Sequence, residues 1–175
     1  MKYNYLSVVP LGALAVALLN PALAFADSAK DAQVAARALA FMENGPTGGV
    51  VMGVVFDPAK PGSVAEKNAI MAALGGGYNA GTVTIAPKAV EADSAADAGL
   101  KVLFLTHGVG YGAVGGAAKA KHIITIGSDP ACVASGACVM GVTTEPAVQI
   151  TVNHNAAAAV GATFKAAFRM LIREI

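Results

Sequence analysis

Downstream of residue 27 the chain alternates between apolar runs and apolar stripes, and Gly, Pro or a capping residue marks each switch. Gly48–Phe56 (GGVVMGVVF) is a continuous Val-rich run, which suits a strand buried on both faces of a parallel sheet. Residues 100–106 (LKVLFLT) form the clearest buried strand. Shorter strands are expected at 82–85 and 122–126. The first of these should end at Pro87 or lie at an edge, because proline cannot donate to a ladder.

Helices are expected at 28–42, 63–74, about 94–98 and about 112–120. The first two open on Ser28-Ala-Lys-Asp31 and Ser63-Val-Ala-Glu66, each a serine followed three residues on by an acid, the pattern of a capping box. Residues 139–143 and 148–152 alternate like a hairpin around Glu145-Pro146-Ala147. Phe164, Ala167, Phe168, Leu171, Ile172 and Ile175 fall on one helical face, with Lys165, Arg169 and Arg173 opposite. That spacing predicts an amphipathic C-terminal helix docked on the core. The whole pattern predicts an α/β fold: a mixed, mostly parallel sheet with helices on both faces and a C-terminal β-hairpin plus amphipathic helix.

Residues 1–26 read as an export signal. Lys2 gives a positive start, residues 8–19 are apolar, and Ala24-Phe25-Ala26 fits the small-x-small rule for cleavage. Pro10, Pro21 and the short apolar length argue against a permanent span, which needs about 20 residues. A cut after Ala26 leaves one α/β domain at 27–175, working in the periplasm. It removes one of the 12 basic residues and none of the 11 acidic ones, so the mature chain is near neutral. With no basic excess and no Lys/Arg run, nucleic acid is not an expected partner.

Export changes the reading of the chemistry. Cys132 and Cys138, spaced CVASGAC, are the only cysteines, and an oxidising compartment favours a disulfide between them. Gly110-Tyr-Gly-Ala-Val-Gly115 matches G-x-G-x-x-G after a strand, with Asp129 downstream, by pattern a dinucleotide fingerprint. The strand before it is third rather than first, the stretch is glycine-rich throughout, and an exported protein meets little nicotinamide cofactor. The segment therefore reads as a tight turn that lets a helix sit close to the sheet, or as a ligand site at the strand ends. Thr106, His107, Gly108, Gly110, Gly112, Ser128 and Asp129 are the ligand-binding candidates there. Asp129 reads equally as a turn or helix-capping residue. His107, His122 and His154 share no helical i, i+4 spacing, no HExxH occurs, and no Gly-x-Ser-x-Gly elbow is present. No catalytic set, metal site or cofactor is assigned. A hydrolase or oxidoreductase would need His107 and Asp129 to converge in a cleft.

The segment Ile124-Thr-Ile-Gly-Ser-Asp-Pro130, the Cys132 to Cys138 loop, Val139-Met-Gly-Val142, Val148-Gln-Ile-Thr-Val-Asn153, the 156–161 turn and the amphipathic end resemble the C-terminal half of the YfiR-like periplasmic family. The chain departs from that family in its first helix, which is Ala-rich and followed by Asn44-Gly-Pro46 rather than a Trp-Pro pair. It departs again in its loop, where Ala137-Cys138 replaces a Gly-Gly pair. The resemblance implies a small, dimeric, non-catalytic exported protein that restrains the periplasmic domain of a membrane-bound diguanylate cyclase. The expected function is binding or regulation of a membrane-protein partner. The alternative is a small solute-binding protein that delivers a small-molecule ligand to a transporter.

Overall fold

The structure, a computed structural model, describes residues 22–175, with side chains from Asp27 onward. Of the expected export signal only the backbone of 22–26 falls within these residues, where it opens helix α1 (Ala22–Leu39). β1 (Gly48–Phe56) lies where the Val-rich run predicts it, and α2 (Pro61–Leu74) follows. Then come β2 (Tyr78–Asn79), β3 (Val83–Glu91), a 3-10 turn at Ala92–Asp97 and β4 (Val102–Leu105). α3 (Tyr111–Ala120), β5 (Ile124–Gly127), α4 (Pro130–Ala134), β6 (Met140–Thr143) and β7 (Gln149–Val152) continue the chain. α5 (His154–Val160), α6 (Ala166–Arg169) and β8 (Arg173–Glu174) end it.

The eight strands form one sheet in the order β2-β3-β1-β4-β5-β6-β7-β8. β3, β1, β4, β5 and β6 are mutually parallel, while β2 and β7 run antiparallel to their inner neighbours. β3 runs on through Pro87 to Glu91. Pro87 is tolerated because β2 pairs only with Thr84 and Ile85, so the ladder beyond them is an open edge.

Side chains alternate between two cores. Val50, Met52, Val54, Val102 and Phe104 face α1 and α2, while Val55, Leu103 and Leu105 face α3, α4 and the 3-10 turn. Gly53 serves the second layer, since a Cβ there would lie 2.7 Å from Leu103 Cδ2. Cys132 and Cys138, both fully buried, are joined by a disulfide that ties α4 to the entrance of β6.

The C-terminal segment departs from the helical stripe. Phe164 and Phe168 are buried and Phe41 stacks on Phe168 with ring centres 5.0 Å apart, but the helix stops after one turn. Arg173 and Glu174 instead pair with Thr151 and Val152 of β7, and Ile175 N–H donates to Val152 O at 3.0 Å. Strand pairing satisfies the backbone of these last residues, so Met170 (87% exposed) and Leu171 (78%) point to solvent. The final helix implied by the YfiR-like resemblance is thus a single turn. Conversely, the Ala-rich 156–161 stretch, read as a turn, is helix α5, capped by the Asn153 side chain and closed by Gly161 at a φ of 73°.

Candidate functional site

Neither Ser-x-x-acid pair is a cap. α2 begins two residues before Ser63, with Pro61 in its first turn, and α1 begins six residues before Ser28. Ser63, Glu66, Ser28 and Asp31 are therefore interior helix residues, and all four are buried. A spacing of three puts each pair on one helix face, and both faces turn toward the carboxyl ends of the strands.

At that edge Ser63 stands in a directed chain of hydrogen bonds. Asp57 N–H donates to Ser63 Oγ at 2.9 Å, and Ser63 Oγ lies 2.6 Å from Thr106 Oγ1, which donates to Val55 O at 2.9 Å. Since Thr106 spends its proton on Val55, Ser63 is the donor to Thr106. The chain fastens the loop after β1, the first turn of α2 and the end of β4 to one another.

Glu66, one turn further along α2, is 1% exposed. Its Oε2 accepts the His107 backbone N–H at 2.8 Å and lies 2.9 Å from His107 Nδ1. Its Oε1 has no hydrogen-bond partner among the described residues. The hydrogen bond to Glu66 holds the His107 imidazole above its ordinary pKa, against burial, with charge from Glu66, Asp129 and Asp31 adding to the rise. Lys60 Nζ donates to Gly108 O across the mouth and lies 3.5 Å from Asp57 Oδ2. Gly108, at a φ of 84°, lets that side chain lie flat, since a Cβ there would meet Lys60 Cδ at 3.0 Å. Together with Asp27, Ser28 and Gly62, these groups enclose a cleft of about 520 Å³.

The sequence candidates divide on this geometry. His107 and Gly108 form the cleft wall, and Thr106 is buried behind them. Gly110 borders a neighbouring hollow of about 660 Å³ with Asp57, Glu91 and Asp93. Gly112 lies in the first turn of α3 with open space about it. Asp129 is occupied twice, taking Tyr111 Oη–H at 2.8 Å and capping α4 through Ala131 N–H at 2.8 Å. Burial, then the bond to Asp129, pushes the Tyr111 phenol above its ordinary pKa. His107 therefore hydrogen-bonds Glu66 and not Asp129, so the pair expected of a hydrolase is not made. Ser128 is buried at the end of β5, and its hydroxyl and that of Thr144 face the Asp31 carboxyl. Burial raises the Asp31 pKa, and the two nearby hydroxyls oppose it. Among the described residues no cluster of three or more His, Cys, Asp or Glu is placed to hold a metal ion. No described helix is long and apolar enough to cross a membrane.

Gly115, the last glycine of the G-x-G-x-x-G stretch, has a packing role. A Cβ there would sit 2.7 Å from Ala137 Cα and Cβ, so glycine lets α3 press on the disulfide loop.

No protein-family model and no curated protein matches the chain. Solved structures match its fold. A conserved domain protein from Vibrio cholerae aligns with a TM-score of 0.57 and 13% identity over 84% of this chain and 59% of that one. An ABC domain from Streptococcus pneumoniae, solved in complex with L-Trp, aligns at 0.59 and 10% over 85% and 60%. A substrate-binding protein with adhesive properties from Clostridium difficile, in its ligand-free open form, aligns at 0.51 and 11% over 72% and 54%. The chain thus spans a little over half the length of each neighbour, and at such identities the likeness is one of fold alone, an α/β architecture.

Proposed function

We propose that the chain is an exported, non-catalytic solute-binding protein that takes a small molecule at the carboxyl edge of its sheet. One observation carries the reading. Glu66 from α2, His107 and Gly108 from the end of β4, and Lys60 from the loop after β1 converge on a single cleft of about 520 Å³. Ligands of open α/β sheets bind outside the carboxyl ends of the strands. The fold shared with proteins solved with L-Trp or described as substrate-binding supports the same reading. Periplasmic location rests on residues 1–26 and accords with the Cys132–Cys138 disulfide. Thermal melts of the purified chain against a panel of amino acids, amines, sugars and carboxylates test it, because a ligand that binds only the folded state raises the melting temperature. A rise that His107→Ala abolishes is expected. No rise with any solute class refutes the reading.

A second reading, a YfiR-like regulator that docks on a membrane protein, is favoured by the exposed Met170 and Leu171 beside the β8 edge. Recovery of a membrane-bound cyclase on the tagged chain, lost with Leu171→Ser, would support it. Recovery of no membrane protein would remove it.

A further inference from the structure

The geometry points to a nitrogen donor, a protonated amine, as the group by which the cleft's ligand is recognised. We infer this from Glu66, and the inference rests on the solute-binding reading above.

A buried carboxyl oxygen without a donor is costly, because it has lost water and gained nothing in return. Glu66 is such a case. It lies in the cleft wall and is 1% exposed. Its Oε2 is taken up by His107, while Oε1 has no partner among the described residues. The other groups lining the cleft do not supply the missing donor. Ser63 is committed to Thr106, and Lys60 is drawn across the mouth to Gly108 and Asp57. A carboxylate leaves Oε1 unsatisfied, and a sugar hydroxyl can donate to it but brings no charge to set against the carboxylate. An ammonium group satisfies it with a charge-assisted hydrogen bond. Asp27, which also lines the cleft, adds a second negative charge, and the half-exposed His107 ring can meet an acid on the same ligand. The ligand class is thus compact amines and amino acids, with the amine obligatory and the acid optional.

The test uses the native chain. Each of the common L-amino acids is titrated calorimetrically beside its deaminated acid. Tryptamine and putrescine represent amines without an acid, and pentoses, hexoses and dicarboxylates represent ligands without nitrogen. At least one nitrogen-bearing solute should bind, and its deaminated partner should bind about tenfold to a hundredfold more weakly, the share of one hydrogen bond to a charged group. Binding confined to solutes without nitrogen, or equal binding of an amine and its deaminated partner, overturns the ligand class and leaves the solute-binding reading standing. Binding of nothing in any class removes both. Glu66→Gln provides a second readout. It should weaken the amine by a similar factor while leaving binding of any nitrogen-free analogue unchanged, an asymmetry that a structural role alone does not produce.

Discussion

His107 closes on Glu66 through two groups at once: its backbone N–H reaches Glu66 Oε2 at 2.8 Å, and its ring Nδ1 lies 2.9 Å from the same oxygen. The first contact fixes where β4 ends, and the second fixes how the imidazole faces the cleft. A carboxyl inside a helix, one turn after a serine that is itself bonded to Thr106, thereby positions a histidine at the carboxyl end of β4.

The pair makes stability depend on pH. The bond to Glu66 raises the folded-state pKa of His107 above the ordinary 6.5. A group shifted upward stabilises the fold fully below its unfolded value and loses that contribution as pH rises through the folded one. The melting temperature should therefore decline as pH rises above 6.5. The decline should be small, because the imidazole is half-exposed and solvent screens it. Thermal melts across this range, compared with His107→Gln, isolate the effect from His122 and His154. A ring that titrates by NMR at or below 6.5 would contradict it.

The glycine stretch supplies a paired prediction. Gly112 has open space around it and a helical position, so Gly112→Ala should be neutral or stabilise by about 0.5–1 kcal/mol. Gly115→Ala drives a methyl to 2.7 Å from the Ala137 backbone and should cost about 1–3 kcal/mol. Urea denaturation of both variants checks it. Equal costs would mean that the motif does not act through packing against the disulfide loop.

What the sequence made legible follows from burial. β4 and residues 52–55 of β1 are covered on both faces, so both strands read as apolar runs. The Val-rich composition of β1, with its flanking Gly and Asp-Pro signals, points to strand rather than helix. The site was half legible for a different reason. The end of β4 drew attention to Thr106, His107 and Gly108, but Ser63 and Glu66 carry a pattern with two physical meanings. A serine and an acid three apart can cap a helix start or share one face of its interior. Pro61, a residue suited to the first turn, was the competing signal that α2 begins earlier. Ser28 and Asp31 concealed the same ambiguity, because α1 already runs from Ala22.

Reduction offers a direct test of the loop between α4 and β6. Mass spectrometry without reductant should find the chain two hydrogens lighter than its free-thiol form. By chain entropy a closed loop of this length contributes about 2.4 kcal/mol. In a domain of this size that is about 5–10 °C of melting temperature, lost with dithiothreitol or with Cys132→Ser plus Cys138→Ser. Unchanged melting after verified reduction would show that the burial of Cys132 and Cys138, rather than their link, holds α4 in place.

The C-terminal segment separates two structures that its periodicity cannot. Phe168 and Leu171 lie on the same stripe of a hypothetical helix, three residues apart, so both would be core. In the structure Phe168 is buried between Phe41 and Phe164, whereas Leu171 is exposed because the chain has already turned toward β8. Phe168→Ala should cost about 3–5 kcal/mol, while Leu171→Ala should stay within about 0.5 kcal/mol. A continuous helix docked by its stripe would instead make Leu171→Ala cost about 2 kcal/mol or more. The contrast can be read from two denaturation curves. It also checks the pairing of Arg173 with Thr151, since only a chain that leaves the helix after Arg169 can reach the edge of β7.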